Sequence, residues 1–227
     1  MNARKIFWHD VKLFLQIFCI LFVILFFIFD GTALGSIVTY KVTKFFTGIT
    51  TTLLEPPQLG DVLVTTTITT TTSVPPVPLE AQENNLLVLP EFNITAPIWT
   101  VEKPDLKLIY KTLRLGVVLY PGTAFPGQGY SIIIGHSSQY PWQPGRYKSV
   151  FSLLSELEIG DKIYIYWDNK PLVFEVVAKT VFLPWPKGND TTETIFPPEG
   201  KKPILILQSC WPVGVAYKRV AVKAVLK

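Results

Sequence analysis

Cysteine and histidine are scarce in this sequence, which contains only two of each among 227 residues. Cys19 lies within a long apolar run near the N-terminus, whereas Cys210 lies close to the C-terminus. The two are not expected to pair, so the sequence predicts that Cys210 is a free thiol. Outside the N-terminal segment there is one histidine, His136, and one histidine with one cysteine cannot form the usual zinc site. We therefore expect no metal centre of that kind.

A strong excess of charge is also missing. The formal net charge is +4, and the lysines are spread along the chain instead of forming a cluster. No nucleic-acid-binding motif accompanies them, so we expect no nucleic acid partner.

A long apolar run occupies the N-terminal region. The chain from Leu13 to Phe29 is apolar except for Gln16, and near-neutral residues extend the run to Val38. Because about 20 apolar residues span a bilayer core, we predict a transmembrane anchor over residues 13–38 that contacts membrane lipid. Basic residues within positions 1–12 predict a cytoplasmic N-terminus at the cell membrane, with the rest of the chain outside. A cleaved signal peptide is the alternative, although its apolar region is usually only about 7–15 residues long.

The composition changes after the apolar run. Residues 39–85 are rich in threonine and proline, as in Thr69-Thr70-Thr71-Thr72 and Pro75-Pro76. This composition buries little apolar surface and favours extended backbone, so we predict a solvated linker. Residues 86–227 form the predicted globular domain, which is long enough to build a core without disulfides.

Short apolar runs alternate with turn residues throughout the globular segment, which indicates many short strands. These are predicted at Leu86–Leu89, Phe92–Ile94, Leu106–Leu108, Leu115–Leu119, Ser131–Ile134, Lys162–Trp167, Leu172–Val177, Ile204–Cys210 and Tyr217–Val222. Asp168 to Pro171 predicts a hairpin turn, and a long loop is predicted to begin at Val181 and to continue through Gly200. A short helix is predicted over Ser149–Leu157 from its apolar spacing and its serine start. The pattern is typical of an all-β barrel.

Three chemically active side chains lie at predicted strand ends. Cys210 ends one apolar run, Arg219 lies near the start of the next, and His136 follows the run Ile132–Ile134. A rigid sheet can hold such groups together in one site, and an unpaired cysteine is a possible nucleophile. The alternative interpretation is that Cys210 is a small buried hydrophobe without chemistry.

Four stretches between Leu86 and Lys227 resemble motifs of the sortases, the cysteine transpeptidases of the bacterial cell surface. The histidine motif of the family is similar to Gly135-His136-Ser137, and its opening strand is similar to Leu89-Pro90-Glu91-Phe92-Asn93-Ile94-Thr95-Ala96-Pro97-Ile98. The family's Thr-Leu-x-Thr-Cys strand end resembles Ile206-Leu207-Gln208-Ser209-Cys210, although Ile206 and Ser209 replace its threonines. The family's arginine, followed by alternating aliphatic residues, is similar to Arg219-Val220-Ala221-Val222.

The resemblance implies a closed eight-stranded sortase-type β-barrel with one or two short helices. It also implies that Cys210 captures the Thr carbonyl of a Leu-Pro-x-Thr-Gly-like sorting signal as a thioester and passes it to an amine of the cell envelope. In such a reaction His136 would exchange protons with the leaving and the incoming amine. Arg219 would donate hydrogen bonds to the oxyanion or hold the peptide backbone. No cofactor is required.

Other side chains are weaker candidates. Ser209 and Trp211 are candidates for substrate or oxyanion contacts, and Trp142 and Trp185 for shaping the peptide groove. Some sortases bind calcium, and the carboxylates that would suit it in the long loop are Asp190, Glu193 and Glu199.

Three alternatives concern the type of activity. The pilus-polymerising class of sortase is not expected, because the chain has neither an Asp-Pro-aromatic lid triplet nor a second, C-terminal apolar span. A thioester that is resolved by water instead of an amine would make the enzyme a hydrolase. A barrel that has lost its activity would only bind surface peptides.

Overall fold

The structure is a computed structural model, and it describes residues 11–22, 24, 35–45, 85–140, 142–184, 188, 190–198, 200 and 202–227. Within these residues the chain forms eight β-strands, each with β-branched or aromatic residues that favour a pleated backbone. They are β1 (Leu86–Leu89), β2 (Ile94–Thr100), β3 (Val117–Leu119), β4 (Tyr130–Ile134), β5 (Lys162–Trp167), β6 (Lys170–Phe182), β7 (Ile204–Trp211) and β8 (Lys218–Leu226).

The strands close into a barrel in the order β1-β2-β3-β4-β7-β8-β6-β5, and β5 pairs back onto β1. Most neighbours are antiparallel, but β2 pairs with β3 and β4 pairs with β7 in parallel. Parallel neighbours need a long crossover connection, and β5, β6 and the chain after β6 supply it between β4 and β7. The closed barrel of eight strands confirms the fold that was predicted from the sequence.

Side chains of β7 alternate between the inside of the barrel and its outer face. Leu205 and Leu207 belong to the interior core, whereas Ile206 belongs to a second apolar cluster that also contains Phe196 from the β6–β7 connection. Since Cys210 has the same parity as Ile206, its side chain lies on the outer face. Ile206 is fully covered on that face, whereas Cys210, near the end of the strand, is only half-buried.

The strand predicted at Leu106–Leu108 is wrong, because the chain forms an α-helix over Leu106–Thr112. Asp105 caps this helix and accepts hydrogen bonds from the backbone N–H groups of the first turn, at 2.8 and 3.4 Å. Ile109 and Leu113, which are four residues apart, bury one helix face against the barrel. The Asp105 cap and the four-residue spacing of the buried side chains therefore favour a helix more strongly than the short apolar run favours a strand.

The helix predicted over Ser149–Leu157 is also largely wrong. The segment forms turns and a short 3-10 helix, Leu154–Glu156. The N–H of Phe151 donates to the carbonyl of His136 at 2.9 Å, so that the backbone is bonded across to another loop instead of along a helix. The apolar residues whose spacing resembled that of a helix are buried in the interior core, and they reach it from turns instead of from a helix.

Smaller differences occur at other boundaries. Pro90–Phe92 forms a 3-10 turn that Asn93 ends in the left-handed region (φ 52), so β2 begins later than the predicted Phe92. Asp168 and Asn169 have φ of 48 and 61, which confirms the predicted hairpin turn. The long loop does not begin at Val181, because this residue is still paired with β8. A short helix, Thr192–Ile195, lies within the loop and starts with a capping box at Thr191.

The N-terminal part is described over two helical segments, residues 11–22 with 24 and residues 35–45. No helix in the described ranges is both long and apolar enough to cross a membrane. Residues 23 and 25–34 of the predicted anchor and 46–84 of the predicted linker lie outside those ranges, so the anchor and the domain boundaries stay predictions. The second segment contacts the barrel, since Lys44 pairs with Glu158 and the Tyr40 ring meets Phe92 edge-on at 5.2 Å.

Candidate active site

His136 and Cys210 lie at the adjoining ends of β4 and β7. These parallel strands are in register up to Ile134 and Gln208, and each of the two residues follows the last paired position by two. Two hydrogen bonds hold the strand ends together beyond the last paired residues. The N–H of Gly135 donates to the carbonyl of Gln208 at 3.2 Å, and the Ser209 hydroxyl donates to the carbonyl of Gly135 at 2.8 Å.

Arg219 lies on the other side of Cys210. The two are directly paired across the antiparallel β7 and β8, and directly paired residues point to the same face of a sheet. The guanidinium is half-buried, and it donates a hydrogen bond to the carbonyl of Lys218 at 3.0 Å. An arginine keeps its charge at any physiological pH, so Cys210 is paired with a residue of fixed positive charge.

The His136 imidazole is nearly enclosed, with 9% of its surface exposed. Its Nε2 atom is buried and has no hydrogen-bond partner among the described residues. Burial, and after it the positive charge of Arg114, lowers the pKa of His136 below its ordinary value. Both effects disfavour the imidazolium form, so the resting imidazole is neutral and able to accept a proton at pH 7.

Gly135 is required by the packing under the histidine. A Cβ atom at this position would lie 2.5 Å from the Phe151 ring, closer than such atoms approach one another. Phe151 is itself buried in the interior core. The glycine thus lets the ring support the backbone that carries His136.

A cavity of about 270 Å³ opens on the outer face of the barrel, alongside the strands that lead to the thiol and the imidazole. Its lining combines apolar and polar side chains from the start of the β3–β4 connection, from β4, β6 and β7, and from the β6–β7 connection: Tyr120, Ile132, Ile134, Phe182, Pro184, Asp190, Thr191, Thr192, Glu193 and Gln208. Pockets that bind peptides and small ligands have this mixed character.

The rim of this cavity is held by side-chain hydrogen bonds. The Thr192 hydroxyl donates to Oε1 of Gln208, which ties the Thr192–Ile195 helix to β7. The Tyr130 hydroxyl donates to the carbonyl of Phe196 at 2.8 Å. Burial, and then the nearby charge of Glu193, raises the pKa of Tyr130 to about 12, so the hydroxyl stays a donor at neutral pH.

The weaker candidates differ in how far they are buried. Ser209 is 3% exposed and its hydroxyl is bonded to the carbonyl of Gly135, so this group joins two strands. Trp211 is half-buried, and the ammonium of Lys218 lies 5.8 Å from the centre of its ring. Trp142 is largely exposed and stacks on Tyr140 at 4.7 Å between ring centres.

Two predicted candidates, Trp185 and Glu199, lie outside the described residues. The other two carboxylates that were considered for calcium, Asp190 and Glu193, line the outer-face cavity. The calcium interpretation stays a prediction.

Arg114 was missed by the sequence interpretation. It follows the Leu106–Thr112 helix and belongs to no motif, so its sequence context contains no signal for a site. Only the pairing of β3 with β4 brings this residue toward His136.

Comparison with known protein families gave a match over the barrel. A sequence model described as the sortase domain matches residues 87–227. No protein of curated function matches the chain.

Several solved structures are similar in fold. Sortase C-1 from Actinomyces oris is 23% identical with a TM-score of 0.52, and the match covers 63% of this chain and 73% of that one. A lid mutant of sortase A from Corynebacterium diphtheriae is 25% identical with a TM-score of 0.51, with coverage of 63% and 69%. Sortase C from Clostridium perfringens, solved with the C-terminal cell wall sorting motif, is 22% identical with a TM-score of 0.50, with coverage of 63% and 69%.

Proposed function

Since the chain belongs to the sortase family, we propose that it is a cysteine transpeptidase that cleaves a Leu-Pro-x-Thr-Gly-like sorting signal and transfers it to an amine of the cell envelope. One observation carries this proposal above all. His136 lies just beyond the end of β4, and Cys210 and Arg219 are paired at the adjoining ends of β7 and β8, which supports a site formed by the three. Acyl transfer requires a nucleophile, a proton carrier and an oxyanion donor in this kind of proximity.

The first half of the reaction forms the thioester. The Cys210 sulfur attacks the Thr carbonyl of the peptide while its proton passes to the neutral His136 imidazole. Arg219 donates hydrogen bonds to the oxyanion of the tetrahedral intermediate. The bond between Thr and Gly then breaks, and the departing amine takes the proton from His136.

The second half releases the product. An incoming amine gives a proton to His136 as it attacks the thioester carbonyl, and an amide forms. The Cys210 sulfur leaves and recovers its proton, so the enzyme returns to its first state. No cofactor takes part in these steps.

We place the sorting peptide in the outer-face cavity. The Clostridium perfringens sortase C was solved with a sorting motif, and the cavity of this chain follows the outer faces of β4 and β7 toward Cys210. Its apolar floor suits the aliphatic part of such a motif. The similar structures include both sortase C and sortase A, so the prediction that the chain is not of the pilus-polymerising class remains a prediction.

A cell-membrane location is part of the proposal. It is supported by the apolar run from Leu13 to Phe29 and by the basic residues that precede it. The N-terminus is proposed to lie in the cytoplasm, with the barrel outside. Protease added to intact cells should then digest the barrel and spare a tag at the N-terminus.

Product analysis distinguishes transfer from hydrolysis. Full-length protein is incubated with an amidated Leu-Pro-x-Thr-Gly-type peptide and increasing amounts of an amine. The products are separated and identified by mass spectrometry. An amide product that replaces the free acid as amine increases supports transfer. Only free acid at every amine concentration would identify a hydrolase, and unchanged peptide would favour a barrel that binds without chemistry.

A further inference from the structure

Arg114 occupies the same rim of the barrel as the proposed active site. β3 and β4 are antiparallel, with Val118 paired to Ile134, so Arg114, in the turn that leads into β3, lies at the same end of these strands as His136. The two residues are close enough for the positive charge of Arg114 to lower the pKa of His136. The four strands β3, β4, β7 and β8 are neighbours in that order. The rim therefore presents, strand by strand, Arg114, His136, Cys210 and Arg219.

The backbone of a second loop packs against Arg114. A Cβ atom at Gly145 would lie 3.0 Å from both Cβ and the carbonyl oxygen of Arg114, and Gly145 has a φ of 131. Only glycine adopts that conformation readily. Glycine at position 145 thus permits the loop that begins at His136 to approach the backbone and the Cβ atom of Arg114 closely.

Two buried polar atoms, one on Arg114 and one on His136, lack partners in the described part of the chain. Nε of Arg114 is buried and has no hydrogen-bond partner among the described residues, and the same holds for Nε2 of His136, whose side chain is more than nine-tenths enclosed. Among those residues, moreover, no ion pair includes the Arg114 guanidinium. Leaving a buried charged donor unpaired is unfavourable. An anionic acceptor from a ligand would complete the site.

The arginine does not line the cavity in which we place the sorting peptide. The outer-face cavity is lined by Tyr120, which follows β3, and by residues of β4, β6, β7 and the β6–β7 connection, and Arg114 is not among them. His136 lies between Arg114 and Cys210 in the strand order. A molecule bound at Arg114 therefore meets the imidazole that must take its proton.

We infer that Arg114 binds the carboxylate of the acceptor, so that the preferred acceptor is an amine that carries a carboxylate a few bonds away. A guanidinium donates two parallel hydrogen bonds to a carboxylate. Binding there orients the amine toward His136 and the thioester on Cys210. This inference rests on the proposed transpeptidase function, and it names the chemical class of the second substrate.

The test compares two matched acceptors, glycyl-glycine and its C-terminal amide, which differ in one carboxylate. Full-length protein is acylated with an amidated sorting peptide, which supplies no carboxylate at its end, and the ratio of amide product to hydrolysis is measured at equal concentrations of unprotonated amine. The natural protein should favour glycyl-glycine by about tenfold, as expected for a charge-assisted hydrogen bond. Arg114→Gln should lose this preference, so that its ratios of amide product to hydrolysis become equal for the two acceptors, and Arg114→Lys should keep part of it.

A second measurement does not depend on any sorting peptide. Alkylation of Cys210 by iodoacetate, which is negatively charged, is compared with alkylation by neutral iodoacetamide, and glutathione added to the same reaction is the internal control. Removing the positive charge of Arg114 from this end of the barrel should lower the rate ratio at Cys210 by at least about twofold in Arg114→Gln. The rate ratio for glutathione should not change.

The outcomes separate the two proposals. Acylation with no preference for the carboxylate, or with a preference that Arg114→Gln retains, overturns the role of Arg114 and leaves the transpeptidase intact. If no peptide acylates the protein, the proposed function fails and the alkylation ratio decides about Arg114. A lowered ratio then supports an anion site at this residue, and an unchanged ratio rejects it. Thermal unfolding of both variants shows that they are folded.

Discussion

The hydroxyl of Ser209 donates a hydrogen bond to the carbonyl of Gly135 at 2.8 Å. This bond joins the residue before Cys210 to the residue before His136, and it lies in the buried layer directly beneath them. It therefore helps to fix the distance between the ends of β4 and β7. A reaction that uses both the thiol and the imidazole depends on this distance.

Ser209→Ala should weaken both the fold and the reaction. A neutral hydrogen bond contributes about 1 kcal/mol to the free energy of unfolding, and its loss leaves a buried carbonyl with one partner fewer. Because the strand ends would separate slightly, kcat should fall more than binding of the peptide. Ser209→Thr, which keeps the hydroxyl, is the matched control and should behave like the natural protein. Equal kcat in the alanine variant would show that the bond does not position the site.

Gly135→Ala tests the packing under the histidine. The added Cβ would meet the Phe151 ring at 2.5 Å, so either the ring or the His136 backbone must move. We expect a loss of about 1–3 kcal/mol in the free energy of unfolding, measured by chemical denaturation, together with reduced activity. Gly35→Ala is the control, because a Cβ at Gly35 meets nothing within 4 Å. A Gly135→Ala protein of unchanged stability would contradict the described packing.

The sequence predicted the barrel, the strands β5 and β7, and the three chemical groups at strand ends. These features are local, since alternation, turn residues and motifs are readable within a few residues. The Leu106–Thr112 helix was missed because its short apolar run was given more weight than its Asp105 cap. Arg114 was missed for a different reason. Its place beside His136 depends on pairing between β3 and β4, and no pattern near residue 114 indicates that pairing.

The pH dependence of His136 follows from its environment. Burial and the charge of Arg114 lower its pKa in the folded protein below the ordinary value of 6.5. As the pH falls below about 6.5, the unfolded chain takes up this proton first, so the stability contributed by neutral His136 is complete above that pH and is lost as pH falls through the folded pKa. Denaturation at several pH values should show this loss, and His136→Gln should reduce it.

Proton NMR measures the same pKa directly. The sequence has two histidines, and the His136→Gln variant identifies which signal belongs to His136. Arg114→Gln should move that signal's pKa upward, because it removes a positive charge. A pKa at or above the ordinary value in the natural protein would contradict the described burial.

Arg219 should act mainly on the chemical step. Replacement by Gln removes the charged donor that faces Cys210 across β7 and β8. We expect kcat to fall by about a hundredfold or more with a smaller change in KM, as for the loss of an oxyanion donor. Lys202→Gln removes a charge near the opposite end of β7 and should leave both constants unchanged. If instead KM rose and kcat stayed constant, Arg219 would hold the peptide in the ground state.

Covalent capture on Cys210 tests the central claim most directly. Full-length protein is mixed with Leu-Pro-x-Thr-Gly-type peptides without an amine, quenched in acid, digested and examined by mass spectrometry. The account predicts an acyl group that ends in Thr on the peptide containing Cys210, none on the peptide containing Cys19, and none in the Cys210→Ala protein. Cleavage of the sorting peptide that continues in Cys210→Ala would contradict it.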